Sequence, residues 1–236
     1  IAGKPTFAQE ITLQQQARML VISGPNAGGK SITLKTVGLL QIMLQAGLLV
    51  PVAPDSQMSF FKQIYSDIGD NQSIENELST YSYRLQRMKY FLGRANGQTL
   101  LLLDEFGTGS DPELGAALAE VFFEQMYALK VFGVLTTHYS NIKLKADELP
   151  EAQNGCMLFN EKDLSPLYQF ALGQPGSSFT FEVAQLNGIS KALIQDAKLR
   201  LDQQKVRLDK LLSSLQKERN QLLAQNKRLA EAAKAA

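Results

Sequence analysis

One cysteine, one histidine and no tryptophan occur among the 236 residues of this chain. The lone Cys156 excludes an intramolecular disulfide framework and points to a reducing compartment, the cytoplasm. No apolar run approaches the length needed to cross a bilayer. The first residues also lack the charged-then-apolar order of a secretory signal, so no membrane role is expected. No solenoid-type internal repeat is present. What remains is ordinary globular material, 44% hydrophobic, with 12 Phe and 7 Tyr to fill a core. The length suits one large α/β domain plus an extension. The chain opens at Ile1, directly in structured-looking sequence, and is read as a piece of a longer protein.

The net charge of +1 hides an asymmetry. From Lys191 onward, eleven basic residues face five acidic ones, so the tail is positive and the body negative. A solvated helical face explains this tail better than a nucleic-acid contact does.

The organising stretch is Gly24-Pro25-Asn26-Ala27-Gly28-Gly29-Lys30-Ser31, which fits G-x-x-x-x-G-K-[ST] at every fixed position. The apolar, β-favourable run Met19 to Ser23 precedes it. A helical pattern follows from Ile32 to Ala46, with apolar residues at Ile32, Val37, Leu40, Ile42 and Leu44. Strand, glycine-rich turn and helix form the context that gives this motif a mechanism. Backbone N–H groups from Asn26 to Ser31 would converge at a helix N-terminus, where phosphate oxygens are favoured. Lys30 would reach the β- and γ-phosphates, and the Ser31 hydroxyl would hold Mg²⁺. The expected nucleotide-binding stretch is therefore Gly24 to Ser31, with Ile32 beside it, and the expected cofactors are ATP and Mg²⁺.

Along the chain, further strands are expected at Gln9–Leu13, Phe60–Asp67, Thr99–Leu103 and Val131–Thr137. Helices are expected at Tyr81–Arg94 and from Asp111 to about Leu129. Alternating strands and helices imply a mostly parallel sheet flanked by helices. Cys156–Phe159 and Pro166–Leu172 read as an antiparallel hairpin near the sheet edge. A short helix at Phe181–Leu186 and a long one from Ser190 complete the chain. The expected organisation is an ATPase domain over 1–188 and a helical extension over 189–236. Leucines at 201, 208, 215, 222 and 229 keep a seven-residue step. The second seam position is largely polar, so this is a weak coiled coil or a packing helix.

Leu100 to Leu103 end in Asp104-Glu105, the second nucleotide signature. At a strand end Asp104 would hold Mg²⁺, and Glu105 would orient or deprotonate the attacking water. His138 follows Thr136-Thr137 at the end of the next strand. Neighbouring strand ends share one crevice with the ligand, so His138 could sense the γ-phosphate or hold the water, with Thr136 or Thr137 adding a hydroxyl.

Together, residues 24–31, Asp104 to Pro112 and Thr136-Thr137-His138-Tyr139 resemble the ATPase domain of the MutS family. The segment Asp67 to Tyr81 resembles the second bacterial, Smr-bearing branch more than mismatch-repair MutS proper. The resemblance covers roughly residues 8–200. It implies a P-loop NTPase fold of the ABC/MutS type and a homodimer with composite sites, in which Ser79-Thr80 approaches the nucleotide of the other subunit. Asn26 then contacts the γ-phosphate region. Ala27 and Phe106 depart from common family choices, but neither side chain carries chemistry. Branched DNA, recombination intermediates or stalled ribosomes are the implied partners, reached through lever, clamp and Smr regions absent from these residues. Nuclease activity is accordingly not expected of this stretch.

Three other readings stay open. One is mismatch repair itself. A second is a binding module switched by ATP with slow turnover. The third is a transport ATPase of the ABC type, which would show a Leu-Ser-Gly-Gly-Gln-like signature where this chain has Glu77-Leu78-Ser79-Thr80.

Overall fold

The computed structural model describes residues 6–25, 28–69, 79–109, 111–160, 165–177 and 179–200, with Leu211, Ser214, Glu218, Leu222 and Gln225; for 79 and 80 it describes the backbone alone. The two most apolar runs become strands β1 (Met19–Ser23) and β3 (Thr99–Leu103), buried along their whole length. A strand covered on both faces has no need of polar alternation. Around them lie β2 (Gln63–Asp67), β4 (Phe132–Thr136), β5 (Ala152–Phe159) and β6 (Pro166–Leu172).

The sheet order is β2-β3-β4-β1-β5-β6. Every neighbouring pair is parallel except β5 and β6, which are antiparallel. The expected hairpin thus sits at the edge, but its first strand also continues the parallel sheet beside β1. The helices are α1 (Lys30–Gln45), α2 (Ser79–Leu92), α3 (Pro112–Ala128), α4 (Ser140–Glu148), α5 (Thr180–Leu186) and α6 (Lys191–Leu199).

Strand alternation divides the core in two. Met19, Val21, Leu101, Leu103 and Leu135 face Met88, Phe91, Phe123, Met126 and Ile142 of α2, α3 and α4. Leu20, Ile22, Leu100, Leu102 and Val134 face Leu34 of α1, with Met157 and Phe159 of β5. Asp111 caps α3 as its sequence implies, its carboxylate accepting from the N–H groups of Glu113 and Leu114 at 3.0 and 3.1 Å.

Several expectations need correction. Gln9–Leu13 is not a strand; the only pairing nearby is an isolated bridge between Gln14 and Ala17. The open edges of the sheet are β2 and β6, and this segment lies against β6 without pairing, the Gln9 side chain donating to the Tyr168 carbonyl. It is held instead through side chains, Gln153 donating to the Thr12 carbonyl and Ile11 and Leu13 packing on the core.

On α1 the sheet-facing side is Thr33, Leu34, Gly38 and Gln41, while Ile32 and Ile42 are exposed. Small and polar residues let this helix approach the strands closely, which reverses the face that hydropathy selects. The second helix runs Ser79–Leu92 rather than Tyr81–Arg94. α4 was not expected at all. At the far end, Leu211 and Leu222 are helical and exposed. Leu201, Leu208, Leu215 and Leu229 of the expected seam lie outside the described residues, as does 70–78.

Candidate functional site

Because β3, β4 and β1 are adjacent and parallel, the loops after them open at one edge of the sheet. The loop after β1 leads into α1 through Gly29, whose φ of 90° is left-handed. No side chain caps this N-terminus and its first turn holds no acid, so its N–H groups and dipole favour an anion. The loop folds on itself through the Gly28 N–H to the Pro25 carbonyl at 3.1 Å. Lys30 is only 3% exposed and donates to the Gly24 and Pro25 carbonyls at 2.7 and 3.0 Å. Burial lowers its pKa to about 8, with Asp104 and Glu105 opposing the shift and Lys143 adding to it. A side chain at Gly28 would meet the Phe159 ring at 2.8 Å, so the end of β5 forms a close wall for the loop. Ser31 is partly buried in the first turn of α1, and Ile32 points outward. Asn26 and Ala27 lie outside the described residues.

Asp104 and Glu105 follow β3 directly. The Asp104 N–H donates to the Asp67 carbonyl at the end of β2, 2.8 Å away. Its carboxylate accepts the Thr136 hydroxyl at 2.6 Å, and the same hydroxyl accepts the Glu105 N–H at 2.8 Å. Glu105 has a φ of 48°, an uncommon conformation for a residue with a side chain. Thr137 donates to the Phe106 carbonyl at 3.1 Å, so both threonines serve the acidic loop. His138 comes next, half-buried; burial, then Lys30 and Lys143, lower its pKa to about 4, against the pull of Asp104. The imidazole is therefore neutral near pH 7. Lys30, Asp104, Glu105 and His138 are thus brought to one edge, with Asp104 close enough to bear on the ionisation of both Lys30 and His138. The side chain of Ser79 lies outside what is described.

Sequence reasoning missed a second buried lysine. Lys143, on α4, is 3% exposed and donates to the Gly176 carbonyl at 2.9 Å. The Gly176 N–H in turn donates to the Ser23 hydroxyl at 2.6 Å. A side chain at Gly176 would come within 3.0 Å of the Gly24 nitrogen, so the segment before α5 lies against the start of the phosphate loop. Ser140-Asn141 at the head of a nine-residue stretch was the available signal for α4. Its polarity concealed it.

Among the described residues, no group of three or more His, Cys, Asp or Glu side chains could hold a metal ion by itself. This suits Mg²⁺, which is held by one or two protein oxygens and shares substrate phosphates. The oxygen donors at hand, Ser31 and Asp104, are hard ligands, and the anion-favouring helix end beside a buried lysine fits a triphosphate. The residues fit both groups.

A family model described as MutS domain V matches residues 20–205. Endonuclease MutS2 of Carboxydothermus hydrogenoformans is 40% identical over 222 residues, covering 94% of this chain and 29% of that protein. The same-named protein of Thermomicrobium roseum is 42% identical over 208 residues, covering 88% and 26%. That of Halothermothrix orenii is 41% identical over 210 residues, covering 89% and 26%. The chain thus spans less than a third of the length of these curated relatives. The resemblance carried by residues 24–31, 104–112 and 136–139 holds, and the parallel sheet with its phosphate loop agrees. The chain belongs to the MutS domain V family, as a P-loop ATPase domain of the MutS2 type.

Proposed function

We propose that this domain hydrolyses ATP with Mg²⁺. Hydrolysis drives dimer and conformational switching in a MutS-type protein acting on branched DNA or recombination intermediates. The observation that carries the reading is the joining of Asp104 and Glu105 to β4 through Thr136, at the sheet edge that also presents buried Lys30. In this reading the stretch Gly24 to Ile32 binds the triphosphate, and Lys30 exchanges its loop carbonyls for phosphate oxygens. Ser31 and Asp104 would hold Mg²⁺, which supplies charge neutralisation at the β- and γ-phosphates. Glu105 orients the attacking water and takes its proton. Neutral His138 can give or take one hydrogen bond at the γ-phosphate or that water.

The test is Glu105→Gln, which keeps shape and removes basicity. Hydrolysis should slow by about 10²–10⁴-fold in single turnover with ATP affinity preserved. A variant turning over at the parental rate would refute the role of Glu105. A parent that binds ATP and turns over only very slowly, whatever the partner, would favour an ATP-switched binding module instead.

The site is composite in the same proposal. Ser79 opens α2, and free N–H groups at a helix start suit a phosphate presented by another subunit. Mixing a Lys30→Ala chain with a Ser79→Ala chain puts one intact loop opposite one intact Ser79, so part of the activity should return. Heterodimers that form without activity returning would end the trans assignment. We also propose an ATPase domain over 1–188, with 189–236 as its helical extension. The relatives are named endonucleases, which supports a DNA substrate for the whole protein. Stimulation of the full-length ATPase by four-way junctions, rather than by stalled ribosomes, is the expected outcome.

A further inference from the structure

We propose that Thr136 is the positioning residue of this site: one hydroxyl fixes both the rotation of the Asp104 carboxylate and the backbone turn that aims Glu105. The inference rests on the hydrolytic reading above. Thr136 ends β4 and is fully buried. The direction of its hydrogen bonds is forced. The Glu105 N–H can only donate, so at 2.8 Å the hydroxyl oxygen must accept. Its single proton then goes to Asp104 Oδ1, 2.6 Å away, a short bond of the charge-assisted kind. The Thr136 carbonyl also accepts the Phe106 N–H at 2.7 Å, so three successive residues of the acidic loop are tied to this one position.

Glu105 needs such a tie. Its φ of 48° lies in the left-handed region, which is unfavourable for a residue with a side chain. Its N–H is held by Thr136, and its carbonyl accepts the Thr108 N–H at 3.1 Å and hydroxyl at 2.9 Å. Without the Thr136 oxygen, the Glu105 N–H loses its acceptor and the peptide can relax toward an ordinary conformation. The carboxylate of Glu105 would swing with it. Asp104 would lose the bond that sets its plane, and with it the aim of its oxygens toward the cation. Thr136, fully buried and with its hydroxyl engaged on both sides, thus acts through Asp104 and Glu105.

The test compares Thr136→Val, Thr136→Ser and Thr136→Ala. Valine keeps the shape and removes the hydroxyl. Serine and alanine both lose the methyl group and differ by one oxygen, so this pair decides the matter even where valine fails to fold. Two readouts are taken. One is steady-state ATPase resolved into kcat and KM. The other is the Mg²⁺ concentration required for tight binding of a non-hydrolysable ATP analogue by calorimetry.

The variants lacking the oxygen should lose on the order of 10- to 100-fold in kcat, with KM little changed, and need more Mg²⁺ by a similar factor. Serine should stay close to the parent in both. Alanine and serine variants that match each other in kcat and in Mg²⁺ requirement would overturn the proposal. A parent that binds the analogue but never hydrolyses ATP would refute the hydrolytic reading instead, and the Mg²⁺ comparison would still decide the role of Thr136.

Discussion

Two lysines on helices packed against opposite faces of the sheet answer to opposite environments. Lys30, at the end of the phosphate loop, is buried against backbone carbonyls, and desolvation lowers its pKa to about 8. Lys145, on the side of α4 that meets α3, reaches Glu120, Glu124 and Glu148 at 3.4, 3.0 and 3.1 Å, and those carboxylates raise its pKa. Both are cations on regular helices; the motif singles out Lys30, but no local pattern gives the two opposite environments. The difference teaches where a charge is kept in readiness. Lys145 has its counter-charges in the folded protein, whereas nearby Asp104 and Glu105 do not offset the burial of Lys30. An arriving triphosphate would.

The largest effect that sharpens this contrast is on ATP affinity. Lys30→Ala should weaken triphosphate binding severely in titration calorimetry, while Lys145→Ala should bind ATP as the parent does and melt only slightly earlier. Equal ATP affinity for Lys30→Ala and parent would break the comparison. A smaller effect is expected at His138. Its removal by alanine should lower turnover and spare ADP affinity, since ADP lacks the γ-phosphate; an equal loss for both nucleotides would make His138 structural.

Protonation offers the finest test. In the ligand-free fold Lys30 titrates near pH 8, against 10.5 in the unfolded chain. Between those values the unfolded chain holds more protons, so the stability of the ligand-free protein should rise with pH there. Bound phosphate raises the lysine pKa again, so ATP binding should take up more protons at pH 9 than at pH 7. Calorimetry in buffers of different ionisation enthalpy measures this, and equal uptake at the two pH values would contradict a depressed Lys30. His138 has the same sign at lower pH. The unfolded chain protonates near 6.5 and the fold near 4, so stability should fall as pH drops through that window. In chemical denaturation, His138→Asn should flatten that slope relative to the parent.

How much of this was legible depends on whether a residue's neighbours are local. Leu100 to Leu103 ending in two acids identified β3 and its carboxylates, because a fully buried strand writes its environment into its own composition. The phosphate loop was equally plain. The inner face of α1 was not. Its contact with the sheet runs through Thr33, Gly38 and Gln41, and close approach favours small residues over apolar ones. On α4 the order is inverted again, Lys143 buried and Leu144 exposed, because the segment ahead of α5 supplies a carbonyl for the amine from far along the chain. Thr136 was noticed as a hydroxyl near the site. Its hold on Asp104 and Glu105, about thirty residues earlier in the chain, depends on the lateral order of β3 and β4, which no local pattern encodes.

The wall that Phe159 makes against Gly28 carries a consequence for how this domain can change over generations. The glycine's missing side chain is the space the ring occupies, so Gly28 cannot gain a side chain while Phe159 keeps its ring. An alanine at Gly28 would be tolerated only after Phe159 had given way to a smaller residue. The two sites, more than a hundred residues apart, should therefore vary as a pair, and the β5–β6 hairpin should inherit the constancy of the loop it touches.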